Sequence, residues 1–94
     1  MKLEDIDLGE LAAVAGGGWA GLYNCESSND PTKLNPSGKY RGLGQFDQRT
    51  WESVGGTGDP AKASREEQHF RAQILYLRRG RQPWPECGPK HLPK

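Results

Sequence analysis

Two cysteines, Cys25 and Cys87, restrict what this chain can fold into more than any other feature. The chain has 94 residues, of which 33% are hydrophobic. That is enough for one domain with a thin core, and a domain of this size usually needs a staple. The cysteines lie far apart, with no CxxC motif and no histidine at ligand spacing, since His69 and His91 are isolated. A zinc site, or any other metal or cofactor, is therefore not expected. An even pair in a small domain predicts a disulfide made in an oxidising compartment. Closing a loop of that length stabilises by roughly 4 kcal/mol in the chain-entropy model. Two free, buried thiols are the alternative. No apolar run is long enough to span a membrane. The N-terminus has neither the basic region nor the continuous apolar stretch of a Sec signal, so an oxidised product has to leave the cytoplasm by another route.

The segment MKLEDIDLGELAAVAGGGW divides at its glycines. Leu3, Ile6, Leu11 and Val14 recur at helical intervals between acidic residues, predicting a short amphipathic helix. Three consecutive glycines stop it and leave bare backbone. Ile6, Glu10-Leu11, Val14 and Gly16-Gly17 together resemble the double-glycine leader of peptides exported by ABC transporters that carry a cysteine-peptidase domain. The resemblance implies residues 1–17 as a leader read by such a transporter, cleavage after Gly17, and a mature domain over residues 18–94. A flexible N-terminal arm is the plainer reading. Lys2 against Glu4, Asp5, Asp7 and Glu10 leaves −3 on the leader; since the whole chain is +1, the rest carries +4. Such a domain is drawn to anionic surfaces such as a bacterial cell wall, in a salt-sensitive way. No nucleic-acid partner is expected, and the domain reads as a monomer.

After the leader, Trp19, Leu22, Tyr23 and Glu26 share one helical face, which ends at Ser27-Ser28-Asn29-Asp30-Pro31. A Gly-rich loop or short hairpin follows around Asn35-Pro36-Ser37-Gly38. Asp47 predicts an N-cap, with Phe46 and Trp51 as a hydrophobic staple, for a helix ending at Gly55-Gly56. Ser64-Arg65-Glu66-Glu67 reads as a capping box for a third helix buried through Phe70, Ile74 and Leu77. The proline-rich tail is expected to be extended and to bring Cys87 back to Cys25. The expected body is thus three helices, a long loop and one disulfide.

Glu26 falls in the last turn of the first helix. The negative end of the helix dipole and partial burial both favour its protonated form, which suits a general acid. A solvated charge at a helix end is the bland alternative. Several stretches then decide between the two. They are Trp19, Cys25-Glu26-Ser27, Tyr40 to Phe46, Thr50-Trp51, Gly55-Gly56-Thr57-Gly58, Ala63 to Gln68, and Trp84-Pro85-Glu86-Cys87-Gly88. Read in order, these resemble the catalytic domain of resuscitation-promoting factors, from Trp19 to Gly88. The resemblance implies a mainly α, lysozyme-like α+β fold that is secreted or bound to the cell wall and cleaves peptidoglycan glycan strands. It implies Glu26 as the catalytic residue and Cys25–Cys87 as the disulfide that fixes the helix carrying it. Gln45 would hydrogen-bond sugar groups, while Tyr40, Trp51 and Trp84 would offer ring faces for stacking. For each of these aromatics the alternative is core packing.

The chain departs from that family's pattern in three places. Ser28-Asn29-Asp30-Pro31 stands where glycines are usual, Gly-Leu-Gly-Gln-Phe replaces Gly-Leu-Gln-Phe, and the segment after Gly58 is shortened. A two-carboxylate glycosidase would draw its second acid from Asp30, which reads as a turn residue, or Asp47, which reads as a cap. The competing functional reading is a bacteriocin-like or signalling peptide that binds cell wall without cutting it. A fragment of a phage tail lysin is a third.

Overall fold

The computed structural model describes residues 18–93, so the leader helix and Gly16-Gly17 lie outside the described residues. Helix α1 (Gly18–Ser27) buries Trp19, Leu22, Tyr23 and Ser27. It stops where Ser28 and Asn29 take left-handed φ values of 55° and 59°. Their N–H groups donate back to the carbonyls of Asn24 and Tyr23, both at 3.0 Å, so the helix end is not left unpaired.

The following loop contains no named strand. The expected hairpin reduces to two single antiparallel bridges, Leu34 with Arg41 and Arg41 with Phe46. Helix α2 (Gln48–Ser53) begins as predicted, with the Asp47 carboxylate accepting from the Thr50 N–H at 2.8 Å. The Phe46 and Trp51 rings meet edge-on at 5.1 Å, forming the staple. Gly56 has to be glycine, because a Cβ there would overlap the Trp51 indole. A short 3-10 turn, Pro60–Lys62, leads into the longest helix.

Helix α3 (Arg65–Arg79) is capped by the Ser64 hydroxyl, which accepts from the Glu67 N–H at 3.1 Å. The Glu67 carboxylate binds Arg71 at 2.8 Å instead of returning to Ser64, so only half of the expected capping box forms. The buried face also differs from expectation. Ile74 is buried as predicted, but Phe70 is exposed and Leu77 only partly covered. Gln68, Ala72, Leu75 and Tyr76 occupy the interior in their place. Counting apolar residues misplaced the face because its first member is a buried carboxamide.

Gln68 makes that burial affordable. Its Oε1 accepts from the Leu43 N–H at 2.7 Å, and its Nε2 donates to the carbonyls of Pro31 at 3.0 Å and Ala63 at 2.9 Å. Gly42, at φ 83°, lies against this amide so closely that a Cβ would overlap Oε1. Arginines on α3 fasten other helix ends. Arg65 donates to the Asn29 side chain and carbonyl, Arg71 to the Val54 carbonyl at 2.9 Å, and Arg78 to the Ser53 carbonyl at 2.7 Å.

The tail is not extended as expected. Cys87–His91 forms a fourth helix, α4, packed on α1. Glycines on α1 permit the approach: a Cβ at Gly21 would overlap the His91 ring, and one at Gly18 the His91 carbonyl. Pro89 falls in the first turn of α4, where its missing N–H has no helical partner to lose. The Cys25–Cys87 disulfide joins the two helices, and the Tyr76 hydroxyl donates to the Pro93 carbonyl beyond them. The core centres on Trp19, ringed by Tyr23, His69, Tyr76 and Trp84 at centroid distances of 5.4–5.8 Å. The result is a mainly helical fold, four α-helices among the described residues.

Candidate active site

Glu26 continues the buried face of α1 at its C-terminal edge, so it is half-buried rather than solvated. It lines a hollow of about 290 Å³ together with Tyr40, Gln45, Pro83, Pro85 and Glu86. Burial raises the pKa of its carboxyl above the ordinary carboxylate value, and the nearby Glu86 charge raises it further. The sequence pointed to the helix dipole and to burial; the like charge of Glu86 was missed. One signal was available: Glu86 precedes Cys87 as Glu26 follows Cys25.

Gln45 and Tyr40 reach the hollow from the loop between α1 and α2. Gln45 adopts φ 52°, and its Nε2 donates to the Gly42 carbonyl at 2.8 Å and to that of Lys33 at 3.3 Å. The amide is thereby fixed in place with Oε1 left as its acceptor. Tyr40 is 40% exposed, and the Lys39 ammonium sits 5.4 Å from its ring centroid. Its backbone pairs with Asn35, the carbonyl accepting from Asn35 N–H at 3.0 Å and the N–H donating to Asn35 Oδ1 at 3.1 Å. A second depression, about 220 Å³, shares Tyr40, Gln45 and Pro83 and adds Asp47, Arg79 and Gln82. The two adjoin at these three shared residues as a groove, of which Glu26 lines only the first part.

Trp51 and Trp84 are not in that groove. Trp51 is fully buried and Trp84 is 2% exposed, so neither presents a ring face to a ligand, and the stacking role expected of them is replaced by core packing. Trp84 still acts on the site at one remove, since its Nε1 donates to the Gly44 carbonyl at 3.0 Å, one residue before Gln45. The Trp51 Nε1 donates to the Thr57 carbonyl at 3.2 Å.

Asp30 is exposed and tied to Thr32, away from the hollow. Asp47 borders the second depression but is committed to capping α2. Hydrogen bonds from Thr32 and Thr50 respectively hold both carboxyls below the ordinary carboxylate range. Neither lines the hollow that holds Glu26; among the carboxylates, Glu86 does. Among the described residues, no cluster of His, Cys, Asp and Glu could hold a metal ion, and no helix is long and apolar enough to cross a membrane.

Residues 13–87 match the model of the transglycosylase-like domain family. The chain belongs to that family. The transglycosylase-like segment contains Glu26, Tyr40, Gln45 and Glu86, and both cysteines, with Cys87 as its last residue. It also takes in residues 13–17, the end of the expected leader. Among curated relatives, the chain is 41% identical over 70 residues to resuscitation-promoting factor RpfC of Mycobacterium tuberculosis, covering 74% of this chain and 49% of that protein. It is 38% identical over 87 residues to RpfD of the same species, covering 93% and 49%. To resuscitation-promoting factor Rpf of Micrococcus luteus it is 40% identical over 72 residues, covering 77% and 32%. The chain thus spans about half the length, or less, of these relatives.

Proposed function

We propose that this domain is an exported glycosidase that cleaves the MurNAc–GlcNAc strand of peptidoglycan, with Glu26 as general acid and then base. The observation that carries this reading is a half-buried carboxyl, biased toward its protonated form, at the head of a groove in a transglycosylase-like domain. Glu26 gives its proton to the oxygen that links muramic C1 to the next sugar. The C1–O bond breaks and its electron pair stays on that oxygen. The substrate's own N-acetyl oxygen, or the incoming hydroxyl, meets the positive charge on C1. The attacking hydroxyl then passes its proton to the Glu26 carboxylate, which restores the starting state. Attack by the muramic C6 hydroxyl leaves an anhydro end, and attack by water leaves a reducing end. Tyr40 stacks on a sugar ring, and Gln45 Oε1 accepts from an N-acetyl N–H or a hydroxyl.

The route out of the cell in this reading is a peptidase-containing ABC transporter that cuts after Gly17, placing the product outside the cell or on its wall. Gly18 supports that bond over the next one, because it already belongs to α1 and lies against the His91 carbonyl.

The test is to incubate oxidised residues 18–94, and the Glu26→Gln variant, with purified peptidoglycan and to identify the released fragments by mass spectrometry. Wild-type protein is expected to release fragments and Glu26→Gln to be slower by at least ~100-fold, the lower end of what general acid–base catalysis contributes. Anhydro ends identify the internal attack and reducing ends the attack by water. Binding without fragments from either protein would overturn the enzyme in favour of a wall-binding peptide.

A further inference from the structure

Each half of the disulfide carries a glutamate. Glu26 follows Cys25 at the end of α1, and Glu86 precedes Cys87 at the start of α4. Both side chains line the same hollow, whose remaining walls include Pro83 and Pro85. The two ion pairs among the described residues, Arg41–Asp59 and Arg71–Glu67, lie elsewhere and neutralise neither glutamate. The other titratable or charged groups near the hollow are Tyr40 with Lys39 over its ring from the loop, Asp47 at the start of α2 and Arg79 at the end of α3 across the adjoining depression, and Arg81 on the far side of Pro85. Asp47 is occupied by Thr50. A carboxylate facing the same small, partly apolar space disfavours a second negative charge there.

We propose that Glu86 is a positioning residue for the acid: the Cys25–Cys87 bridge sets it on the same hollow as Glu26, where its carboxylate disfavours a second negative charge. Glu26 is the more buried of the two, so burial and the neighbouring charge both favour its protonated form. A glycan entering the groove displaces water and strengthens the coupling. The inference rests on the glycosidase reading for its consequence, not for the pairing itself.

Two readouts on the oxidised full-length chain and its Glu86→Gln variant test it. The first follows the Glu26 side-chain carboxyl by ¹³C NMR through a pH titration. The second is the pH dependence of wall digestion. In Glu86→Gln, Glu26 is expected to give up its proton at lower pH. The alkaline limb of the rate profile moves the same way, with rates several-fold lower on that limb and unchanged on the acid side. Glu86→Asp restores the limb. A merely structural role would lower the rate equally at every pH and leave the titration in place, and that outcome overturns the proposal. If neither protein digests wall, the glycosidase reading fails, and the Glu26 titration still decides whether the pair is coupled.

Discussion

Four residues were expected from the sequence to hold a sugar, and the structure divides them two and two. Gln45 and Tyr40 reach the groove; Trp51 and Trp84 fill the core. Residue type could not separate them, since an indole serves equally as a stacking platform and as interior packing. Burial is settled by which side of a short element faces inward, and neither tryptophan lies in a segment long enough to show that by periodicity. The division has opposite consequences for mutation. Tyr40→Ala is expected to raise KM for glycan and to change stability by less than ~0.5 kcal/mol, as for an exposed side chain. Trp51→Ala is expected to cost about 4 kcal/mol through the cavity it leaves. Urea unfolding of both variants, set beside their digestion kinetics, checks the contrast.

Helix starts were more legible than helix faces. Asp47 and Ser64 both cap as their positions predicted, because a cap is a local bond needing only the side chain and the next turn's N–H. The inward face of α3 depends on distant partners: Gln68 is interior only because Pro31, Leu43 and Ala63 lie around it. Helix α4 escaped prediction for the same reason, since its proline and glycine argue for coil while α1 supplies the packing that makes it helical. Aspartates at the element starts also set the acid limit of the fold. Hydrogen bonds from Thr50 hold the Asp47 carboxyl below its ordinary range, and a hydrogen bond from Arg41 does the same for Asp59. A carboxyl depressed in the folded state adds stability above its unfolded value and loses it as pH falls through the folded one. Melting temperature is therefore expected to be insensitive to these two groups above about pH 5 and to fall below about pH 4, using ~3.9 as the unfolded aspartate value. Asp47→Asn and Asp59→Asn should each flatten that decline in a pH series of thermal melts.

Across the whole molecule, the cysteine pair was the most reliable guide in the sequence, because a thin core and an even pair leave few other ways to hold the ends together. The bridge spans 62 positions and joins the first described helix to the last. Replacing both cysteines with serine is expected to lower stability by about 4 kcal/mol, measurable as a lower urea midpoint, with a steeper slope because the unlinked denatured chain exposes more surface. Digestion should be lost with it, since Glu26 and Glu86 each adjoin one half of the bridge.

The buried Gln68 carboxamide has a consequence of a different kind. One interior amide holds three lengths of irregular backbone to the longest helix, so the loop that forms the groove's wall is expected to open only with the domain as a whole. The amide proton of Leu43 is therefore expected to exchange with solvent only through global unfolding, which native-state hydrogen exchange checks. A glycosidase of the kind proposed, built this way, would receive its polymer in a notch already shaped before the polymer arrives.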